Sequence, residues 1–347
     1  MTAPTGPTGP TAPTVTAVVL AWQAEPWLRR GVEALLASEK VAADVVLVDN
    51  GCTTDDVEVL ERLPGVTVVR PGTNLGFAGG CNVGADAATG GYLALVNGDA
   101  VVEPTTLARL VDEAARPEVG IAGGSIRLAD DPRLINSAGN PVHVLGLSWA
   151  GRLGEPEEGG EPADVTVASG ACMVIRRSLW RELGGFDREY FAYHEDTELS
   201  IRVWRRGLRV VYVPDAVAVH RYEFSRNEFK YFMIERNRLM FLATLWGWRA
   251  LLLLSPALVG LELGMVALAA KQGWLRAKLR GWRWLAGHAG HIRRRRSLLQ
   301  RERTVPNREW MGVLTDRLDP AAIELPAVTG PLNAVMRGYW RLVRRLV

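Results

Sequence analysis

The sequence predicts an α/β fold, a mostly parallel sheet flanked by helices, followed by a basic helical extension. Three observations lead there. Short apolar, β-branched runs alternate with helix-period segments over roughly the first 115 residues, the rhythm of βαβ units. Two of those runs end in polar tips, Asp49-Asn50 and Asn97-Gly98-Asp99. Charge is unevenly spread: from Lys271 onward there are 17 Lys/Arg against five Asp/Glu, a net +12, which leaves the first 270 residues at −9.

The first strand is expected at residues 15–21 (VTAVVLA), and a helix at 26–38 follows, with Leu28, Val32, Leu35 and Leu36 on one face. A second strand at 44–48 ends at Asp49, and a helix at 55–63 leads to a third strand at 66–70. Ligands of such sheets lie at the carboxyl ends of the strands, where Asp49 falls. Residues 71–84 (PGTNLGFAGGCNVG) are dense in glycine and carry Asn74 and Asn82. Glycine lets a backbone approach a phosphate or sugar closely, although the same segment also reads as a plain connecting loop. The strand at 92–96 runs into Asn97-Gly98-Asp99, and a helix at 104–115 follows. A carboxylate at such a tip suits a divalent cation bridging a diphosphate; the tripeptide also reads as a turn.

From 120 to 168 the pattern loosens, with an acidic Gly-rich run at 154–160, and predicts a mobile loop on the substrate side. A strand at 172–175 precedes the most informative stretch, residues 184–207 (GGFDREYFAYHEDTELSIRVWRRG). There the cluster Glu195-Asp196-Thr197-Glu198 opens a helix carrying Leu199, Val203 and Trp204 at helical spacing. The helix dipole favours an ionised carboxylate in that first turn, which makes Asp196 a candidate general base. A capped surface helix would look the same. Short strands at 208–213 and 216–219 end in His220, and 223–245 reads as a helix containing Glu235-Arg236-Asn237.

Composition narrows the field. Hydrophobic residues at 48% and charged residues at 23% suit a folded chain with a proper core. Cys52, Cys81 and Cys172 show no metal-ligand spacing and argue for a reducing compartment. The Pro/Thr/Gly-rich residues 1–13 read as a disordered tail rather than a signal peptide. Neither GxGxxG, Walker A nor GxSxG occurs, so dinucleotide, P-loop and hydrolase readings lose their main support.

Five segments in this order and approximate spacing, VDNGCTTDD, NLGFAGGCNVG, LVNGD, GGFD with FAYHEDTEL, and VPDAVAVH with a later Arg-Asn, resemble inverting glycosyltransferases of family 2, in particular the bacterial rhamnosyltransferase-like branch. The resemblance covers about residues 15–249 and implies a GT-A fold, with a nucleotide-sugar-binding half at 14–119 and an acceptor and catalytic half at 120–249. It implies that Asp49 reads the nucleobase, that Asn74, Gly76, Asn82 and Asn97 lie along the donor, and that Asp99 and His220 hold a divalent cation (Mg2+ or Mn2+). Asp196 takes the place of the catalytic base, with Glu195 beside it. Asn97 stands where the first aspartate of the family's D-x-D motif is often found, and Gln23 where many members have Asn. The chemistry is consistent: a single displacement needs one base and no enzyme nucleophile, and the leaving diphosphate needs charge stabilisation. The competing reading is a non-catalytic nucleotide-binding scaffold at a membrane surface, which would need Asp49 and the glycine segment but not both Asp99 and Asp196. The implied partners are a nucleotide-sugar, leaning towards a rhamnose or similar donor, and a lipid-linked or cell-envelope glycan acceptor.

Residues 250–347 complete the chain as a helical, basic, membrane-associating region. The segment 250–270 is long enough to cross a bilayer, but Pro256 and Glu262 interrupt it and basic residues flank both ends. A hairpin or surface-lying helix is therefore expected, with a buried helix as the alternative. The run Arg293–Arg296 reads as a solvated face or an anionic-lipid contact. Residues 332–347 form an amphipathic pattern with Leu332, Val335, Tyr339, Leu342 and Leu346 on one face and Trp340 suited to an interface. No nucleic-acid-binding motif accompanies this charge. The expected location is cytoplasmic, at the inner face of the plasma membrane.

Overall fold

The alternating runs assemble into one ten-stranded sheet whose strands, in spatial order, begin at residues 66, 42, 14, 92, 172, 119, 209 and 100, with two short strands beginning at 135 and 163 added at its margin. The computed structural model describes residues 12–221, 227–321 and 329–347. Its first part comprises β1 (Thr14–Gln23), α1 (Leu28–Leu36), β2 (Ala42–Cys52), α2 (Asp56–Leu60), β3 (Val66–Val69), α3 (Gly76–Ala87), β4 (Tyr92–Val96), β5 (Ala100–Val102) and α4 (Thr106–Ala114). Then come β6 (Val119–Leu128), β7 (Ile135–Ser137), β8 (Ala163–Asp164), β9 (Cys172–Arg176), α5 (Arg177–Leu183), α6 (Glu195–Arg205) and β10 (Arg209–His220). The remainder is helical: α7 (Glu228–Leu245), α8 (Trp248–Gln272), α9 (Leu275–Gly287), α10 (Ala289–Arg301), α11 (Asn307–Trp310) and α12 (Thr329–Leu346). The expected helix start at residue 223 lies outside the described residues.

Strands β3, β2, β1 and β4 are parallel. Beyond them the sheet is mixed, because β9 runs antiparallel to both β4 and β6. The strand order reverses between β1 and β4, and such a switch point opens a crevice at the strands' carboxyl ends.

Two sequence expectations are corrected here. The glycine-rich segment is a loop only up to Leu75; from Gly76 it is helix α3. Its glycines serve packing: a Cβ at Gly84 would sit 2.4 Å from Val18 Cγ1, and one at Gly80 2.9 Å from Leu20 Cδ2. The supposed mobile stretch beginning at residue 120 opens instead with β6, a strand buried along most of its length in the middle of the sheet. Its sequence VGIAGGSIRL is small-residue-rich because neighbours crowd it: a Cβ at Gly123 would lie 2.8 Å from Ala168 Cβ. The expected boundary between the two halves, 119/120, therefore falls at the start of a central strand.

The C-terminal helices share the main hydrophobic cluster. Trp246, Leu254, Leu299, Trp310, Trp340 and Val343 pack in one continuous core with Tyr190, Leu199 and Ile201. Helix α8 is a single 25-residue helix through Pro256, not a hairpin. It is the one helix among the described residues long and apolar enough to cross a membrane, and little of its apolar stretch is buried. Glu262 on α8 and Lys278 on α9 meet Glu235 and Arg238 of α7: Lys278 Nζ lies 2.9 Å from Glu262 and 2.5 Å from Glu235, while Arg238 bonds both acids. The arginine run is split by its helix. Arg295 pairs with Glu198 and Asp187, Arg296 donates to the carbonyls of Ala243 and Trp246, and only Arg293 and Arg294 are exposed. On α12 the buried residues are Thr329, Trp340 and Val343, so Trp340 faces the protein rather than an interface, whereas Leu332, Val335, Leu342 and Leu346 stay exposed.

Candidate active site

The strand tips at the β1/β4 switch point gather the polar residues. Asp49 pairs across β2 with Ala21 of β1, and its Oδ1 accepts from the backbone N–H groups of Gly51 and Cys52 at 3.2 and 3.1 Å. Beside it Trp22 is 52% exposed, an unusual investment of a large aromatic surface at a strand end. Buried Asn50 fixes the following loop: its Oδ1 accepts from Leu75 N–H at 2.8 Å and its Nδ2 donates to Gly76 O at 3.2 Å. Asn74 Oδ1 accepts from Gly76 N–H at 2.8 Å. Gly76 is required, with φ at +69° and room for a Cβ denied by Phe191 O at 2.4 Å. Asn82 is not brought to this edge as a ligand group. Its amide exchanges both hydrogen bonds with the Phe186 backbone, each 2.9 Å, and braces α3 against the GGFD segment.

Asn97, Asp99 and His220 do converge. His220 stands opposite Ala100 in the β10/β5 pairing, which puts its Nε2 3.0 Å from Asp99 Oδ1 and 3.3 Å from Asn97 Nδ2. Its Nδ1 lies 3.0 Å from Asn136 Oδ1 on β7, a buried partner that sequence reasoning missed because β7 fell in the region read as loop. With Nδ1–H donating to Asn136, Nε2 presents its lone pair to a carboxylate oxygen. Two acceptors at that distance repel unless a proton or a cation lies between them, so this donor set fits a divalent ion held by one carboxylate and one oriented imidazole. No group of three or more His, Cys, Asp or Glu gathers around a common point among the described residues, so diphosphate and water would have to complete the shell.

Asp196 opens α6 as expected. Its Oδ2 accepts from Gly170 N–H at 3.1 Å and its Oδ1 from Thr197 N–H at 2.6 Å. Ala171, the next residue, accepts from Asn97 N–H at 3.0 Å. The segment Ser169–Ala171 thus ties the carboxylate of α6 to the tip of β4. The helix start does not hold Asp196 low, however. Burial pushes its carboxyl above the ordinary range, against the pull of the Gly170 and Thr197 hydrogen bonds. Glu195 is buried more deeply, with one carboxylate oxygen unpartnered; burial and the Asp196 charge push it well up. Its side chain is turned towards the protein interior.

A model of the family described as "Glycosyltransferase like family 2" matches residues 12–241. The chain belongs to glycosyltransferase family 2. Among curated proteins, it is 31% identical over 230 residues to the N-acetylglucosaminyl-diphospho-decaprenol L-rhamnosyltransferase of Mycobacterium tuberculosis, covering 58% of this chain and 74% of that protein. It is 30% identical over 215 residues to the O-antigen biosynthesis protein RfbC of Myxococcus xanthus, covering 57% of this chain but only 16% of that one. The fold is similar to that of GalNAc-T7, solved with UDP, GalNAc and Mn2+ (TM-score 0.57, 19% identity, 68% of this chain and 49% of that one). It is also similar to the mannosyltransferase PcManGT of Pyrobaculum calidifontis, solved with GDP-Man and Mn2+ (TM-score 0.52, 19% identity, 84% and 85% covered). This family 2 enzyme is therefore a nucleotide-sugar glycosyltransferase built on a GT-A-like mixed sheet, with a helical C-terminal region.

Proposed function

We propose that the enzyme transfers L-rhamnose or a chemically similar sugar from a nucleoside-diphosphate donor to a lipid-linked or cell-envelope glycan. Transfer is a single inverting displacement with Asp196 as general base. One observation supports the reading: Gly170 and Ala171 bind, respectively, the Asp196 carboxylate and the Asn97 backbone at the β4 tip, so one short segment links the proposed base to the proposed diphosphate site. Asp196 takes the proton of the attacking acceptor hydroxyl, held in orientation by the Gly170 and Thr197 N–H groups. Asp49 Oδ2, which has no partner among the described residues, is free to accept from a nucleobase, and Trp22 offers it a stacking face. Asn74 and Gly76 line the donor's approach, and the Asn97 amide reaches towards the cation site. Asp99 and His220 would hold a Mg2+ or Mn2+ ion, which when bound offsets charge developing on the leaving diphosphate.

Support for a lipid-linked acceptor comes from the exposed apolar rows of α8 (Trp248, Leu252, Val259, Leu263) and α12 (Leu332, Val335, Leu342, Leu346), with Arg249, Lys271, Arg341, Arg344 and Arg345 on the same helices. Such a face suits the surface of an anionic bilayer. The test is transfer from a panel of nucleotide-sugars to a short-chain prenyl diphospho-N-acetylglucosamine, with the anomeric configuration of the product read by NMR. Retained configuration, or no transfer from any donor, overturns the reading.

A further inference from the structure

Helix α12 carries its charge on one flank. Trp340 and Val343 are buried in the main core, which leaves Arg341, Arg344 and Arg345, at i, i+3 and i+4, together on the exposed side. Helix α11 and the turn Met311–Val313 are anchored by the buried Trp310 and Met311, and Trp310 meets Trp246 edge-on at 5.4 Å. Between the two lies an open cleft of about 500 Å³, with Arg308 and Glu309 on one wall and Arg341, Arg344 and Arg345 on the other. The walls come closest at Gly312, where a Cβ would lie 2.6 Å from Arg344 Nη2, so the bare backbone gives that guanidinium its place.

The charge in this cleft is unmatched. Among the described residues none of the four guanidiniums makes a hydrogen bond or an ion pair, and Glu309, the one acid of the lining, pairs with none of them. Neighbouring arginines are treated differently: Arg295 bonds Glu198, Arg296 bonds two carbonyls and Arg303 bonds Asn307. Cations in a last helical turn complement the dipole, which accounts for Arg344 and Arg345 but not for Arg341, nor for Arg308 on another element. Like charges at this spacing repel, and four guanidiniums against one carboxylate leave a net +3. An anion with several oxygens relieves the repulsion, because planar guanidiniums grip phosphate oxygens two at a time. That charge suits a phosphomonoester or a diphosphate better than a singly charged phosphodiester. Leu342 and Leu346 are exposed on the same turns of α12, which favours a lipid head over a free phosphate as the source.

We propose that Arg308, Arg341, Arg344 and Arg345 form a binding site for a phosphomonoester or diphosphate group, presented by a membrane lipid. The lipid source rests on the reading of α8 and α12 as a bilayer-facing surface; the phosphate site does not. Full-length enzyme in EDTA would be titrated with pyrophosphate by calorimetry. It would also be sedimented with vesicles of matched surface charge containing phosphatidic acid, a phosphomonoester, or phosphatidylglycerol, a phosphodiester. Arg344→Ala is expected to weaken pyrophosphate binding about tenfold, the worth of one charge-assisted contact. Arg344→Lys, which keeps the charge but loses the fork, should recover part of the loss. Glu309→Gln should tighten binding, and Arg293→Ala, exposed on α10, should leave it within about twofold. Wild type should need about tenfold less lipid to sediment with phosphatidic acid than with phosphatidylglycerol, and Arg344→Ala should remove that preference. Absent pyrophosphate binding, affinity unchanged by Arg344→Ala, or an equal loss in Arg293→Ala overturns the site. Pyrophosphate binding with equal sedimentation on both vesicles upholds the phosphate site and overturns its lipid source. Failure to sediment with either vesicle overturns the membrane reading along with the lipid source, and the calorimetry then upholds or overturns the phosphate site for a soluble ligand.

Discussion

Replacing Glu198 by glutamine tests whether the C-terminal helices hold α6, which carries the proposed base, in place. Glu198 is fully buried on α6, 2.8 Å from Arg202 and 2.7 Å from Arg295 of α10. A glutamine keeps the shape but offers one acceptor where two guanidiniums need one each, and its amide N–H repels the second. Uncovering a buried charge costs about 3–5 kcal/mol. Arg202 keeps the carbonyls of Gly185 and Leu183 and Arg295 keeps Asp187, so the lower end applies, about 3 kcal/mol. For a chain of this size that is roughly 4 °C in Tm, readable by calorimetry. Arg70→Ala, which breaks an exposed pair with Glu61, serves as control and should barely change Tm. The arginines hold the Glu198 carboxyl below its ordinary pKa against desolvation, so its contribution is complete above the ordinary glutamate range and is lost as pH falls through the lowered value. The gap between variant and wild type should therefore narrow in strong acid. A shift at pH 7 no larger than the control's would refute the reasoning.

Asp196→Asn is expected to lower turnover at least about a hundredfold while nucleotide-sugar affinity stays within a few-fold; residual turnover above about a tenth rules Asp196 out as the base. Because burial raises this carboxyl, the acidic limb of the wild-type kcat profile should lie above the ordinary aspartate range, with activity lost as pH falls through it. Asp99→Ala should weaken Mn2+-dependent donor binding, with His220→Ala and Asn136→Leu showing milder versions; calorimetric titration giving equal wild-type affinity with and without metal would sink the site. Serine at Leu332, Val335, Leu342 and Leu346 leaves Trp340 and Val343 packed, and should reduce sedimentation with anionic vesicles without changing nucleotide affinity. High salt should weaken wild-type binding, and failure of wild type to sediment even at low salt removes the membrane surface from the account.

The strands were legible wherever β-branched runs ended in polar tips: β1, β2 and β4 fall at the expected places, and with them Asp49, Asn97 and Asp99. Helix α6 was legible because its acidic opening and apolar period agree. Strand β6 was not, because tight packing against Ala168 and Val203 demands glycines, and glycines read as loop. Asn136 and the Ser169–Ala171 bridge were invisible for a related reason: pairings across 84 and 26 positions leave no local periodicity. Asn82, expected along the donor, bonds the Phe186 backbone through both amide atoms, a pairing across 104 positions that is equally invisible in the sequence. The arginine run at 293–296 looked uniform in sequence, yet α10 turns Arg295 and Arg296 inward and the other two out.

The Glu262 carboxylate sets a limit on immersion. It sits midway along the most apolar helix of the chain and is bonded to Arg238 and Lys278, both fully buried between α7 and α9. For α8 to leave the body and thread a bilayer, that carboxylate would have to enter hydrocarbon alone, and two cations would be left sharing Glu235. Each rupture of this kind costs several kcal/mol. The helix is moored along its flank like the keel of a hull, so on the proposed membrane reading lipid would wet its outer side and no more. Held at that fixed draught the enzyme would not sink towards its substrate; the head group of the proposed lipid-linked acceptor would have to rise out of the lipid plane to meet Asp196.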